Sequence, residues 1–286
     1  MEGSPLPVIA DVDDGRPVWD PRPGTPLVPA HLAWAPISVG HHRETWLTWS
    51  VELWTPAVVK MLRPGWSRRW TEALTREVQA LRGRVHPAFP RLLKDGRADA
   101  VPFLAVEYLD GPALDESITA DGPLPAGDAA RLGVLLFGAV RSLHASGTAH
   151  LDISPGNVLI VDRKARLIDL GAARPLGRRL RRGERIGTDG FAAPELAEGC
   201  AGPVTAAMDV FGVGATLRDA LDAGSQDADR VADLLDWFTE PSPDRRPGPD
   251  VAMAALVRAA GTGAARPWPR WADRELPRPP VRVRAT

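Results

Sequence analysis

The sequence predicts an α+β fold of two lobes, because strand patterns fill its first third and helical patterns fill the remainder. The strand patterns are TWLTWSVELW at 45–54, PAVVKML at 56–62 and the apolar run PFLAVEYL at 102–109. The helical patterns follow at roughly 126–146, 206–222, 228–239 and 249–260. We therefore expect a small β-rich first lobe and a larger helical second lobe.

One helix is predicted inside the strand-rich lobe, from Ser67 to Arg84. Its apolar residues recur at spacings of 4, 4 and 3, at Trp70, Leu74, Val78 and Leu81. Glu77 falls on the apolar face of this helix, where a carboxylate needs a partner. Lys60 fits that role because, of the three lysines among 35 basic residues, it is the one that the sequence predicts to lie on an apolar strand.

Composition excludes several classes of protein. A formal net charge of −1 in 286 residues is unlike the basic excess of a general nucleic-acid binder. The single cysteine, Cys200, allows no intramolecular disulfide and fits a reducing compartment. The N-terminal residues do not resemble a signal peptide, and the longest apolar runs fall short of the ~20 residues of a membrane helix. We expect a soluble, cytoplasmic protein that binds neither nucleic acid nor membrane.

Proline and glycine are concentrated at both ends of the chain. This composition predicts an extended or loop-like N-terminal segment and a tail rich in proline and arginine. The predicted organisation is a proline-rich segment at 1–30, a first lobe at 31–109, a second lobe at 110–262 and the tail at 263–286.

Oxygen-bearing side chains recur at fixed intervals in the second lobe. Asp152 and Asn157 are five residues apart in the loop HLDISPGNVLI, and Asp169 follows the short apolar strand of ARLIDLG. Transfer of a phosphoryl group from MgATP needs metal held by oxygen ligands and a carboxylate that orients the nucleophile. It also needs a cation for the ATP phosphates, and a buried Lys60 paired with Glu77 fits that requirement. These residues together indicate a phosphotransferase.

In order and spacing, these motifs resemble those of the protein kinase superfamily over about residues 36–260. The motifs are AVVK with Lys60, REVQAL with Glu77, VEYLDG at 106–111, His150-Leu151-Asp152 with Asn157, Asp169-Leu170-Gly171, Ala193-Pro194-Glu195, Asp209 in DVFGVGATL and Arg246 in PSPDRRP. The resemblance is to a compact, bacterial-type Ser/Thr protein kinase-like domain. It implies a bilobal kinase fold that binds ATP and Mg²⁺ and phosphorylates a Ser/Thr hydroxyl of a protein substrate.

The resemblance also implies a role for each matching residue. Asp152 would be the catalytic base, Lys60 the phosphate anchor held by Glu77, and Thr188 in GTDGF the mark of a Ser/Thr acceptor. Asn157 and Asp169 would bind the metal. The positions that would contact the nucleotide are Lys60, Gly40, Leu47, Val58, Glu107, Leu109 and Leu159. Asp209 and the pair Glu195–Arg246 would serve mainly the structure.

The glycine-rich loop departs from the family pattern. In SVGHHRETWL, Gly40 is the first glycine, but His42 and Thr45 replace the second and third. Glycines there let backbone N–H groups approach phosphate closely, so the side chains should loosen or reshape the ATP contact. His41 and His42 either touch phosphate or are solvated loop residues.

The activation segment departs as well. Leu151 replaces the arginine that pairs with a phosphorylated residue in the family, and residues 172–186 contain no Ser, Thr or Tyr. We therefore expect activity that does not depend on phosphorylation of this segment. Its arginine-rich stretch at 174–185 either docks an acidic partner or is a solvated loop.

We expect the second lobe to lack helix G of protein kinases, since only five residues separate the predicted helices at 206–222 and 228–239. Two alternatives to a protein kinase therefore remain open. DISPGNVL also resembles small-molecule phosphotransferases of the aminoglycoside and choline kinase type, although these lack Ala-Pro-Glu and its arginine partner. The lost glycines, and Ser154 in place of the usual lysine, would also suit a pseudokinase that works as a binding module. In that case the pair of Lys60 and Glu77 would be purely structural.

Overall fold

The computed structural model describes residues 6–10, 15–162 and 164–260. These residues form two compact units. The first comprises the described residues up to Asp110 together with Asp169–Ala173, and the second comprises Gly111–Ile168 and the described residues from Arg174 onward. The predicted tail at 263–286 lies outside the described residues.

The first unit is built on a sheet. Its strands are β1 Val8–Ala10, β2 Pro17–Trp19, β3 Pro26–Val28, β4 His31–Val39, β5 Arg43–Ser50, β6 Thr55–Leu62, β7 Leu92–Gly96 and β8 Phe103–Glu107. β1 pairs with β2, and the other six form an antiparallel sheet in the order β3-β4-β5-β6-β8-β7. The centre of this sheet is therefore β5, β6 and β8.

Alternation along the central strands separates a core face from a second face. Trp46, Val59, Met61 and Phe103 belong to the core cluster and are at most 5% exposed. The intervening residues form cross-strand rows on the other face, where Leu47 pairs with Val58 and Val58 with Val106. Lys60 lies on this second face, two residues from Val58, and pairs with Thr45 and Leu104.

The sheet begins earlier in the chain than the sequence indicates. Residues 1–30 are predicted to be extended or loop-like, yet β3 at Pro26–Val28 is an edge strand of the sheet, and Leu27 and Val28 are buried in its core. Proline is tolerated as the first residue of an edge strand because the edge does not require its missing N–H. The proline-rich composition therefore concealed an apolar strand.

Helix α1, Thr71–Leu81, is the helix of the first unit, and a 3₁₀ turn at Arg68–Trp70 leads into it. It lies within the predicted range from Ser67 to Arg84. Its buried face consists of Leu74, Glu77, Val78, Ala80 and Leu81. The amphipathic spacing thus brings a carboxylate, Glu77, into the interior.

The second unit is mainly helical. Its helices are α2 Leu114–Asp121, α3 Ala126–Ala145, α4 Pro194–Ala197, α5 Ala206–Ala220, α6 Ala228–Phe238 and α7 Pro249–Ala259. Three antiparallel strand pairs accompany them: β10 Val158–Val161 with β11 Lys164–Leu167, β12 Arg174–Pro175 with β9 Thr148–Ala149, and β13 Arg179–Leu180 with β14 Gly202–Pro203. The predicted mixed α+β organisation, a β-rich N-terminal sheet followed by a helical part, is confirmed.

Helix α3 forms the centre of the helical core and packs against α5, α6 and α7. Close packing depends on Gly133, where a Cβ would lie 2.5 Å from Leu256 Cδ1 and 2.6 Å from Leu217 Cδ1. Phe137 of α3 meets Phe238 of α6 edge to face, with ring centroids 5.5 Å apart. Within the described part of the chain, no helix combines the length and hydrophobicity needed to cross a membrane.

Candidate active site

The predicted site residues are divided between the two units. In the first unit, Lys60 of β6 meets Glu77 of α1, with 2.5 Å between Nζ and Oε1. The side chain of Lys60 is 8% exposed and that of Glu77 is fully buried. Since a lone buried polar group is unfavourable, each of the two side chains provides the other with a hydrogen-bond partner.

Asp169 adds a second carboxylate to this pair. Its Oδ1 lies 3.6 Å from Lys60 Nζ and accepts a hydrogen bond from the backbone N–H of Gly171 at 3.1 Å. Burial alone would raise the pKa of Asp169, but the positive charges of Lys60 and Arg43 outweigh it and hold the pKa well below its usual range. Asp169 is therefore a carboxylate at neutral pH.

Arg43 is a member of this cluster that the sequence analysis missed. It follows the turn between β4 and β5, and its guanidinium forms an ion pair with Asp169 through Nη2 and Oδ2. Its Nη1 lies 3.6 Å from Glu77 Oε2. The available signal was its position, directly after the histidine that replaces the second glycine of the loop.

The loop that begins at Gly40 is held by several contacts. The backbone N–H of Gly40 donates to the carbonyl of Arg43 at 2.8 Å, which closes the turn. His41 accepts from Arg16 Nη1 at 2.7 Å, and the ring of His42 stacks on Trp70 with 4.3 Å between centroids. The histidines are thus exposed yet engaged by neighbouring side chains.

Most of the predicted nucleotide-binding residues of the first unit lie on β5 and β6 or at the end of β8. Leu47 and Val58 are cross-strand partners on the same face as Lys60, and both are half-buried. Leu109 is 7% exposed. The backbone N–H of Glu107 donates to the carbonyl of Arg91 at 2.9 Å, so this N–H is already used within the sheet.

In the second unit, Asp152 lies in the loop before the 3₁₀ turn Pro155–Asn157. The Nδ2 of Asn157 donates to the backbone carbonyl of Asp152 at 2.9 Å, which leaves the amide oxygen outside this hydrogen bond. The hydroxyl of Thr188 donates to Asp152 Oδ1 at 2.7 Å. Three predicted residues therefore meet in one hydrogen-bonded group. Leu159 follows on β10 and is half-buried.

The carboxylate of Asp209 on α5 binds the backbone of the loop that contains Asp152. Its Oδ2 accepts the N–H of His150 at 2.9 Å, and its Oδ1 accepts the N–H of Leu151 at 2.8 Å. Leu151 has φ of 68°, a left-handed conformation that costs a residue with a Cβ about 1–2 kcal/mol. The carboxylate of Asp209, which also bonds His144 Nε2 at 2.7 Å, stabilises this strained backbone.

Carboxylate and amide oxygens are the ligands that Mg²⁺ prefers. Asp169 is ionised, and the amide oxygen of Asn157 is not used by its bond to Asp152, so the donor chemistry of both residues fits this ion. Across the described residues, no three His, Cys, Asp or Glu side chains converge to form a full protein cage for a metal.

The sequence matches the protein kinase domain family over residues 55–226. This chain belongs to the protein kinase family. The match includes Lys60, Glu77, Asp152, Asn157 and Asp169, and the predicted resemblance to the superfamily is confirmed.

Relatives with curated names are bacterial kinases. The probable serine/threonine-protein kinase PkwA of Thermomonospora curvata is 32% identical over 202 residues, which cover 68% of this chain and 27% of that protein. The serine/threonine-protein kinase PknK of Mycobacterium tuberculosis is 36% identical over 213 residues, covering 71% of this chain and 19% of that protein. The serine/threonine-protein kinase AfsK of Streptomyces coelicolor is 37% identical over 147 residues, 50% of this chain and 18% of that protein. This chain therefore spans about a quarter or less of the length of these relatives.

The kinase activation segment ends in a buried ion pair. Arg246 binds the carboxylate of Glu195 through two parallel hydrogen bonds, Nη1 to Oε1 at 2.7 Å and Nη2 to Oε2 at 2.8 Å. Arg246 also donates to the carbonyls of Ala207, Glu240 and Pro241. The pair thus joins the Ala-Pro-Glu motif to α5 and to the segment after α6.

Proposed function

We propose that this kinase transfers the γ-phosphoryl group of MgATP to a Ser or Thr hydroxyl of a protein. The observation that carries the proposal is the hydrogen bond of 2.7 Å between the hydroxyl of Thr188 and Asp152 Oδ1. This bond supports the proposal because the nucleophile of the reaction is a hydroxyl group that a carboxylate must orient. PkwA, PknK and AfsK are named as serine/threonine-protein kinases, which supports the same acceptor for this chain.

Each residue has a separate task in this proposal. Asp152 accepts the hydrogen bond of the attacking hydroxyl and receives its proton as the new O–P bond forms, while the bond between the γ-phosphorus and its bridging oxygen breaks and ADP leaves. Lys60, oriented by Glu77, binds the ATP phosphates. Asn157 and Asp169 would hold Mg²⁺, which would neutralise charge on the phosphoryl oxygens. Most of the barrier lowering then comes from positioning and charge stabilisation.

We assign most of the adenine-binding residues to the β-sheet of the first unit. Leu47 and Val58 of the first unit and, separately, Leu159 of the second unit are the apolar side chains that we assign to the adenine ring. Backbone groups of Glu107 and Leu109 would bind its polar edge, although the N–H of Glu107 already donates to Arg91. We therefore assign the adenine contact at Glu107 to its carbonyl group.

We further propose that activity is independent of phosphorylation in the activation segment. Glu184 supports this idea because its carboxylate lies 3.6 Å from Arg174 Nη2 and 3.5 Å from Arg178 Nη2 and accepts the N–H of Arg181. Burial would raise the pKa of Glu184, but the Arg181 N–H and the two arginines lower it. A permanent carboxylate therefore fills the role that a phosphate has in other kinases.

Two further features concern the substrate. We infer that the kinase lacks helix G, since residues 221–227 alone separate α5 from α6. The arginine-rich segment at 174–185 is the proposed contact for an acidic partner or substrate. Arg179 and Arg182 are both exposed there, so their charges are available for such a contact.

A second candidate is a pseudokinase that binds other molecules without catalysis. The ion pair between Arg43 and Asp169 favours it, because a guanidinium contacts the carboxylate that Mg²⁺ would need. A small-molecule acceptor is the third possibility, and it differs from the first only in substrate.

One experiment separates these functions. Purified protein is incubated with radiolabelled MgATP and either protein mixtures or a metabolite panel, in parallel with Asp152→Asn and with Asp233→Asn as a control at an exposed site on α6. Transfer to Ser or Thr of proteins that Asp152→Asn loses and Asp233→Asn retains is the expected result. Transfer to metabolites alone would favour the small-molecule enzyme, and ATP binding without transfer would favour the pseudokinase. Equal transfer by wild type and Asp152→Asn would refute both enzymes.

A further inference from the structure

Arg43 brings a second cation into the cluster around Asp169. Its Nη2 donates to Asp169 Oδ2, and its Nη1 lies 3.6 Å from Glu77 Oε2. That oxygen of Glu77 is buried and accepts no hydrogen bond from the residues that the structure describes. The guanidinium therefore supplies charge to both carboxylates, through a hydrogen bond to Asp169 and at a distance to Glu77.

The charges of this cluster balance without a metal ion. Lys60 and Arg43 supply two positive charges, and Glu77 and Asp169 supply two negative charges. Opposite charges at such distances in a partly buried site attract each other strongly. Loss of Arg43 would leave a net charge of −1, which attracts a divalent cation more strongly than a neutral cluster does.

The backbone around Arg43 favours this position of the side chain. The turn is closed by the bond from Gly40 N to Arg43 O, and Arg63 Nη1 donates to the carbonyl of Gly40 at 3.2 Å. At the other end, Gly171 makes room, since a Cβ there would lie 3.0 Å from Arg43 Nη1. A fixed turn and an absent side chain together admit the guanidinium to Asp169.

We propose that Arg43 is the resident counter-cation of Asp169, and that Mg²⁺ must displace it when nucleotide binds. Arg43 then sets the magnesium concentration at which the kinase takes up nucleotide. The inference rests on the proposed function, in which Asp169 is a ligand of Mg²⁺. Displacement is feasible because the side chain of Arg43 is 25% exposed and its guanidinium can be rehydrated once it leaves.

The proposal predicts how nucleotide binding depends on magnesium in Arg43→Gln. ADP binding is measured by titration calorimetry over a series of Mg²⁺ concentrations. The half-saturating Mg²⁺ concentration should fall about tenfold in Arg43→Gln, which corresponds to about 1.4 kcal/mol. Arg82→Gln is the matched control, because Arg82 is an exposed arginine paired with Asp95 and its loss should change nothing.

A second readout needs no nucleotide. Without Mg²⁺, Arg43→Gln should melt at a lower temperature than wild type, since Asp169 and Glu77 lose a counter-charge. Added Mg²⁺ alone should then stabilise Arg43→Gln more than wild type, because a ligand stabilises more when it has no competitor to displace. Arg43→Lys should fall between the two in both measurements.

Several results would overturn the proposal. An unchanged magnesium dependence would do so, and weaker binding of MgADP by Arg43→Gln would instead make Arg43 a direct contact of the phosphates. If wild type binds no ADP at any Mg²⁺ concentration, the proposed function fails. The melting experiment still decides the inference in that case, because equal stabilisation of both proteins by Mg²⁺ would refute it.

Discussion

Replacement of Lys60 by arginine keeps the positive charge but removes the compact ammonium group, so it tests whether the shape of the cation matters. Lys60 Nζ lies 2.5 Å from Glu77 Oε1 and 3.6 Å from Asp169 Oδ1, and its side chain is 8% exposed. A planar guanidinium keeps the charge but cannot occupy the same point between the two carboxylates. The phosphate anchor would therefore move, although the net charge of the cluster would not change.

The expected loss follows from the role of Lys60 in the transition state. Removal of one well-placed electrostatic contact from an active site lowers the rate by about 10²–10³-fold, or about 3–4 kcal/mol. Lys94 and Lys164 provide matched controls for the same substitution. Lys94 is partly exposed, with its Nζ 3.5 Å from Glu52 Oε1, and Lys164 is exposed. Arginine at either position should therefore reduce transition-state stabilisation by less than about 1 kcal/mol.

The assay is steady-state phosphoryl transfer at varied MgATP concentrations, and kcat/KM for MgATP is compared among the three variants. The reasoning requires Lys60→Arg to lose about 10²-fold or more while the controls stay within about fivefold of wild type. If all three variants behave alike, Lys60 does not bind the phosphates. Far-UV circular dichroism and melting temperature verify that Lys60→Arg is folded.

Three further predictions concern packing, acid stability and the activation segment. Gly133→Ala should lower the free energy of unfolding by about 1–3 kcal/mol, since its Cβ would lie 2.5 Å from Leu256 Cδ1. Gly138→Ala has open space beside the new methyl group and should raise the free energy of unfolding by up to about 1 kcal/mol. Urea denaturation measures both changes. Burial would raise the pKa of Asp209, but the hydrogen bond from His144, the charge of that ring and the neighbouring N–H groups outweigh burial and lower the pKa from 3.8. The stability that Asp209 contributes is therefore present above pH 3.8 and is lost as the pH falls through the pKa of the folded state. Asp209→Asn should lower stability by about 2–4 kcal/mol at neutral pH and flatten this acid dependence, and an unchanged pH profile of unfolding would contradict the assignment. Glu184→Gln should speed tryptic cleavage within 174–185 and lower kcat, and a cleavage rate equal to that of wild type would refute the ordering role of this carboxylate.

The helices of the second unit were predictable because their apolar periodicity is long. The patterns at 126–146 and 249–260 correspond to α3 at Ala126–Ala145 and α7 at Pro249–Ala259. Helix α2 was missed because it has eight residues and one buried side chain, Leu114, which leaves too little periodicity to detect. Strand β3 was missed because proline and glycine dominate its neighbourhood.

The site was predictable to the extent that it lies in local motifs. Asp152, Asn157 and Asp169 can be found by spacing, because short loops after strands fix their separations in the sequence. Arg43 cannot be found in this way, since its contact with Asp169 joins residues 126 positions apart and depends on the conformation of a loop. The roles assigned to these residues stay predictions until the substitutions are measured.

The N-terminal strands have a practical consequence for anyone who trims this protein. The family match begins at residue 55, but the first unit is completed by β3, β4 and β5, and the N–H of Trp19 reaches the buried carboxylate of Glu44 at 3.0 Å. A fragment of residues 55–226 would leave one edge of β6 unpaired and would uncover Val59 and Met61. Such an edge with exposed apolar side chains promotes aggregation. The smallest soluble piece of this kinase should therefore be wider than the family match at both ends, since α6 and α7 also lie beyond residue 226.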